Sequence, residues 1–169
     1  MDSIPNISII VAIAENNAIG KDNQLLWQIR DDMKYFKQVT LGNPVIMGKK
    51  TYDSLPIKPL PQRLNIIISD IETDYCEGCA MAYSIEEAIK KSNPKKENFV
   101  IGGGSIYKQF LPVAQKLYIT RIHKTFDADT FFPEINMDEW EEIESRPGPP
   151  DEENDFTYSY HVYQRKQSK

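Results

Sequence analysis

The sequence predicts an α/β fold built on a sheet whose central strands are covered on both faces. Three observations predict it. Short, nearly unbroken apolar runs rich in β-branched residues recur at residues 7–14, 45–47, 66–68 and 99–101, the signature of strands in a parallel sheet. Segments with helical spacing fall between them. The last run differs: Phe156, Tyr158, Tyr160 and Val162 alternate with Thr157, Ser159 and His161. That period of two fits an antiparallel strand with one wetter face.

The elements follow in order. After the first strand, residues 18–27 form a polar loop that ends in Leu25, Leu26 and Trp27. Ile29, Met33 and Phe36 then mark one face of a helix over residues 31–39. The strand at 45–47 ends in Gly48, and a helix starts near Thr51. Ser84-Ile85-Glu86-Glu87 is a capping box, followed by Ala88 and Ile89. The strand at 99–101 enters Gly102-Gly103-Gly104; Ile106 and Phe110 pair at i,i+4, and Pro112 stops their helix. Residues 116–122 read as another strand, and residues 146–154 as a loop joining two late strands. There is no internal repeat.

At 169 residues the chain suits one domain over residues 1–169. A net charge of −5 with no basic stripe argues against nucleic acid and against a polybasic membrane contact. No apolar run approaches a membrane helix, and Met1-Asp2-Ser3 lacks the basic start of a signal peptide, so a cytoplasmic protein is expected. The two cysteines form Cys76-Glu77-Gly78-Cys79. This pair does not open a helix as a redox pair would, and His123 and His161 lie too far along the chain to suggest a zinc site with it. It reads as a chance pair of thiols, and no metal is expected.

Four constellations could carry chemistry. A strand that enters three glycines and then a helix lets a ligand approach the backbone and offers free N–H groups to a phosphate; a tight turn without a ligand would look the same. Gly48-Lys49-Lys50-Thr51 is a second such corner, and two in one sheet suit the diphosphate of a dinucleotide at the strand carboxyl ends. Asp32 falls on or beside the apolar stripe of its helix, where a carboxylate either is used or merely favours the first turn. The loop before Trp27 is either a surface loop or a lid. GxSxG and HExxH are absent, so catalysis would lean on one carboxylate and a bound cofactor.

From Ile7 to about Arg165 the chain resembles the dihydrofolate reductase family. Seven pieces stand in family order: Ala18-Ile19-Gly20, Leu25-x-Trp27, Asp32-Met33-x-x-Phe36-Lys37, Pro44-Val45-Ile46-Met47-Gly48-x-x-Thr51, Pro59-Leu60-Pro61-x-Arg63-x-Asn65, Ile101-Gly102-Gly103-Gly104-x-x-Tyr107 and Asp129-Thr130-x-Phe132-Pro133. The resemblance implies an eight-stranded, mixed, mainly parallel sheet flanked by about four helices, with an antiparallel C-terminal strand. It implies reduction of 7,8-dihydrofolate to tetrahydrofolate by NADPH, in support of one-carbon and thymidylate metabolism. It further implies a monomer that binds dihydrofolate and folate analogues.

Carried over residue by residue, the resemblance makes Asp32 the group that holds the pterin, with Thr120 hydrogen-bonded to it. Trp27 would fix a water, and Leu25 would join this catalytic group. Ile10, Val11, Met33, Phe36 and Leu55 would wall the substrate, and Arg63 would pair with its glutamate tail. Ala12, Ile19 and Gly20 would meet the nicotinamide. Gly48, Lys49, Lys50, Thr51, Ser69 and Asp70 would lie along the adenosine and phosphate side. Gly102, Gly103, Gly104, Ser105, Ile106, Tyr107 and Thr130 would cradle the diphosphate and nicotinamide, with a cis peptide between Gly102 and Gly103.

Three departures from the family pattern stand out. Leu26 replaces a proline before Trp27, which should free the loop. Asp70 puts a carboxylate where the 2′-phosphate of NADPH should lie, which weakens discrimination against NADH unless Lys49 offsets it. Ser105 replaces a basic residue and points the same way.

Overall fold

The apolar runs pair edge to edge, because buried backbone must satisfy its own N–H and C=O groups. The computed structural model describes residues 5–21 and 26–166. Its elements are β1 (Asn6–Ala14), β2 (Ala18–Gly20), α1 (Arg30–Thr40), β3 (Val45–Gly48), α2 (Lys49–Ser54), β4 (Asn65–Ile68), β5 (Ala80–Ala82), α3 (Ile85–Lys91), β6 (Glu97–Gly102), α4 (Gly104–Phe110), a 3-10 turn (Leu111–Val113), β7 (Lys116–Ile122), β8 (Thr130–Phe131), β9 (Trp140–Pro147) and β10 (Tyr158–Arg165).

The eight-stranded sheet runs β5-β4-β3-β6-β1-β7-β10-β9. Its first six strands pair in parallel. Strand β10 is antiparallel to both β7 and β9, as its period of two predicts. β6 sits between β3 and β1, so chain connections diverge on either side of it. This is the place where open α/β sheets leave a crevice at the strand carboxyl ends.

Side-chain alternation splits β1 between the faces. Ile7, Ile9, Val11 and Ile13 join one core with Tyr107, Phe110 and Leu117. Ile10 joins the other, with Met47, Tyr52 and Phe99. A third cluster gathers Trp27, Ile29, Ile122, Tyr158 and Tyr160.

Local signals account for the helix ends. At α3 the Ser84 hydroxyl accepts from the Glu87 N–H at 3.0 Å, while the Glu87 carboxylate accepts from the Tyr83 N–H at 3.0 Å. α1 lacks a side-chain cap, with Ile29 at the N-cap, and carries Asp31 and Asp32 in its first turn, where negative charge suits the dipole. Two buried asparagines clamp the loops entering parallel strands. Asn65 accepts from the Leu60 N–H and donates to the Leu60 and Arg63 carbonyls. Asn98 treats Asn93, Asn6 and Lys96 in the same way.

Two differences from the sequence reading concern the ends of the sheet system. The loop expected to begin at Arg146 begins after Pro147, since Arg146 pairs with Tyr160 and Pro147 with Ser159. An edge strand tolerates proline because it has an unpaired side. The small two-stranded sheet of β2 and β8 is too short to announce itself by periodicity.

Candidate active site

The Asp32 carboxylate stands in the first turn of α1. Thr120, buried in β7, donates its hydroxyl to Asp32 Oδ1 at 2.7 Å. Burial raises the Asp32 pKa above the usual carboxylate range, and the Thr120 hydrogen bond opposes that in part. In register with Thr120 lies Tyr160, whose ring packs on Tyr35 at 4.3 Å. The Arg146 guanidinium lies 4.5 Å from the Tyr160 ring centre. Burial, then the Asp32 charge, pushes the Tyr160 hydroxyl above its usual range. Sequence reading missed Tyr35, Tyr160 and Arg146; the aromatic positions 158 and 160 were the available signal.

Trp27 is buried, with its ring 5.2 Å from Phe126. It anchors the end of the preceding loop, and Leu26 packs into the same cluster. Leu25 lies outside the described residues. Ile10, Phe36 and Leu55 come together in one cluster. Val11 does not join them: alternation along β1 sends its side chain to the opposite core, so only its main chain can serve a ligand beside Ile10. Met33 is 64% exposed, as is Ile57 at 67%. Ile57 follows Leu55 by two residues and was not anticipated.

Arg63 is half-buried, and that burial lowers its pKa. Its Nε donates to the Pro61 carbonyl at 2.9 Å and one terminal nitrogen to the Thr40 hydroxyl at 3.0 Å. Among the described residues no carboxylate forms an ion pair with it. The guanidinium is thus oriented, with donors left for an anion.

On the other side of β1, the two glycine corners meet. The Gly102-Gly103 peptide is cis. A Cβ on Gly103 would touch Thr51 Oγ1 at 3.4 Å, and one on Gly48 would press Ile106 at 3.2 Å. At Gly104 a Cβ would lie 2.7 Å from the Thr130 methyl, so this position needs glycine. Ile19 also reaches Gly104, and β2 pairs Gly20 with Thr130. These contacts bring together eight residues assigned to the cofactor, Ile19, Gly20, Gly48, Thr51, Gly103, Gly104, Ile106 and Thr130, from four separate segments. Tyr107 is buried, and its hydroxyl donates to the Ile10 carbonyl at 3.0 Å. It therefore supports the corner from behind. Ala12 packs with Trp27 and Tyr35.

Three of the expected cofactor residues are engaged within the chain. Lys49 Nζ binds the Asp53 carboxylate at 2.7 and 2.9 Å, an i,i+4 pair that occupies its charge. The Ser69 hydroxyl donates to Asp74 at 2.5 Å and accepts from the Ile71 N–H. Ser105 accepts from the Gln109 side chain at 3.1 Å. Lys50 and Asp70 are exposed. Both thiols of the Cys76–Cys79 turn are free, and no group of three or more metal-ligating His, Cys, Asp or Glu occurs among the described residues.

A half-buried carboxylate on one side of β1 and a paired glycine corner on the other suit an α/β protein that holds a dinucleotide beside a small polar substrate. The comparisons make the class specific. The family description "Dihydrofolate reductase" matches residues 6–165. The dihydrofolate reductase of Staphylococcus haemolyticus is 41% identical over 165 residues, covering 98% of this chain and 99% of the relative. That of Haemophilus influenzae is 43% identical over 159 residues, covering 94% and 98%. The solved structure of the Enterococcus faecalis dihydrofolate reductase, complexed with NADP(H) and RAB-propyl, superposes with a TM-score of 0.88 at 32% identity, covering 99% of this chain and 100% of that one. The chain belongs to the dihydrofolate reductase family.

Proposed function

We propose that this chain reduces 7,8-dihydrofolate to 5,6,7,8-tetrahydrofolate with NADPH. The observation that carries the reading is Asp32, partly buried, held by Thr120, and set across β1 from the cis Gly102-Gly103 corner. The family membership and the NADP(H) of the Enterococcus faecalis structure support it.

When bound, NADPH supplies the hydride. The corner fits such a group, because the lack of side chains at positions 103 and 104 lets Thr51 and Thr130 close against the strand-to-helix turn, whose free N–H groups suit a phosphate. Gly102, Gly103, Gly104, Thr51 and Thr130 would hold the diphosphate, with Lys50 as the exposed cation. Ala12, Ile19 and Gly20 would meet the nicotinamide. Asp32 would accept hydrogen bonds from the pterin 2-amino group and N3, which fixes the ring. Thr120 keeps the carboxylate in place, and Trp27 excludes bulk water while positioning one molecule. Ile10, Phe36, Leu55 and Met33 would wall the ring and its linker, and Arg63 would take the tail carboxylate. The N5 proton would come from solvent, since Asp32 holds the far side of the ring. We read residues 1–169 as one domain, and the protein as a cytoplasmic monomer; no helix among the described residues is long and apolar enough to cross a membrane.

The test is oxidation of NADPH in the presence of dihydrofolate, followed by near-ultraviolet absorbance, with Asp32→Asn beside the wild type. Turnover in the wild type and a loss of about 100-fold or more in the variant support the reading. A folded wild type that binds NADPH without turnover overturns it.

A further inference from the structure

The chain has two histidines, and the fold brings them to one hydroxyl. His123 Nε2 lies 3.0 Å from Ser159 Oγ, and His161 Nε2 lies 2.7 Å from the same atom. Ser159 and His161 are two apart on β10 and share a face. His123 reaches them from the end of β7, where its N–H bonds the Thr157 carbonyl. This face is the one turned away from Asp32, because Thr120 and Tyr160 occupy the other.

Glu142 completes the group. A register shift between Val162 and Tyr163 places Glu142 opposite Tyr163, and so on the His161 side of the sheet. Its carboxylate accepts from His161 Nδ1 at 2.5 Å. A carboxylate only accepts, so in a neutral ring the His161 proton sits on Nδ1 and Nε2 keeps its lone pair. The Ser159 hydroxyl then donates to His161, and His123 Nε2 donates to Ser159. A carboxylate on one imidazole nitrogen, with the other left as a base, is the arrangement that orients metal-binding histidines.

We propose that His123 and His161 form a binding site for a divalent transition-metal cation of the zinc and copper class. Imidazole nitrogens suit these ions, at about 2.0–2.1 Å for zinc. The cation would replace the Ser159 hydroxyl as the group bridging the two Nε2 atoms. His123 would carry its proton on Nδ1 instead, and Ser159 Oγ or water would complete the coordination. A hollow of about 740 Å³, lined in part by His123, Ser159, Phe156 and Pro149, gives solvent access to His123 and Ser159. Two neighbouring groups stay outside the set. Asp155 is paired with Lys124, and the Arg121 guanidinium is bound to the Tyr163 hydroxyl.

The test is titration of the full, tag-free chain with Zn2+ by calorimetry, and with Cu2+ by electron paramagnetic resonance. A Cys76→Ser/Cys79→Ser double variant runs in parallel, so that the thiols cannot supply the binding. One ion per chain is expected in both proteins, with two nitrogen ligands in the copper spectrum. His123→Ala and His161→Ala should each weaken binding at least tenfold, and Glu142→Gln by about tenfold. Dihydrofolate reduction should be unchanged in these variants, which also shows that they fold. No binding, binding lost with the cysteines, or binding that survives loss of both imidazoles would overturn the proposal.

Discussion

The Tyr107 hydroxyl donates to the main-chain carbonyl of Ile10 and so ties the helix behind the glycine corner to the strand that carries Ile10 and Ala12. Burial pushes the Tyr107 pKa far above its usual value, so the phenol remains a donor. Tyr107→Phe should leave a buried carbonyl unpaired, at about 1–3 kcal/mol of stability. Urea denaturation measures that loss. Single-turnover kinetics should show slower reduction as well, because both ligand subsites rest on β1. A full loss of stability with an unaltered rate would mean that the corner does not depend on this bond.

Asp32 makes stability depend on pH in a definite direction. Its folded-state pKa is raised, first by burial, so the folded chain holds this proton more tightly than the unfolded chain does. As pH rises from the ordinary aspartate value of 3.8 through the raised one, ionisation costs folding free energy. Asp32→Asn carries no such cost. The stability of the variant relative to wild type should therefore increase across that window and level off above it. Denaturation curves from acid to neutral pH would reveal a flat difference if the carboxylate were unperturbed.

Arg63 should act on binding and not on chemistry. Removing the guanidinium with Arg63→Gln takes away hydrogen bonds to a charged group, each worth about 1.5–3 kcal/mol. KM for dihydrofolate should rise by about 10-fold or more, with kcat little changed. A pterin that lacks the glutamate tail should show no difference between the two proteins; equal losses on both substrates would place Arg63 elsewhere in the mechanism.

The Lys49–Asp53 pair bears on the choice of cofactor. Asp53→Asn should release the Lys49 charge and lower KM for NADPH by about 2- to 5-fold, the range of a partly exposed ion pair. KM for NADH should stay the same, since it lacks the 2′-phosphate. Matching shifts for the two cofactors would show that Lys49 does not read that group.

What could be read from the chain followed the range of each interaction. The glycine corners and the α3 cap are local, and the residues announce them. The Asp32–Thr120 bond spans 88 positions, so the family resemblance, and not periodicity, brought Thr120 forward. Asp53 stands four residues after Lys49 on one short helix and was legible by spacing, yet the lysine was read for its charge alone. The Ser69 hydroxyl likewise bonds a carboxylate close in sequence, Asp74. Val11 was assigned beside Ile10 although alternation on a strand separates neighbours. β9 shows no alternation because both its faces are open: Trp140 is buried, while Glu141 to Pro147 are exposed.

That exposed strand has a further consequence for how copies of the chain meet. β9 ends the sheet with Glu141, Glu142 and Glu144 along it. A second molecule adding itself strand to strand would set one row of carboxylates against another, and the repulsion discourages fibrillar stacking.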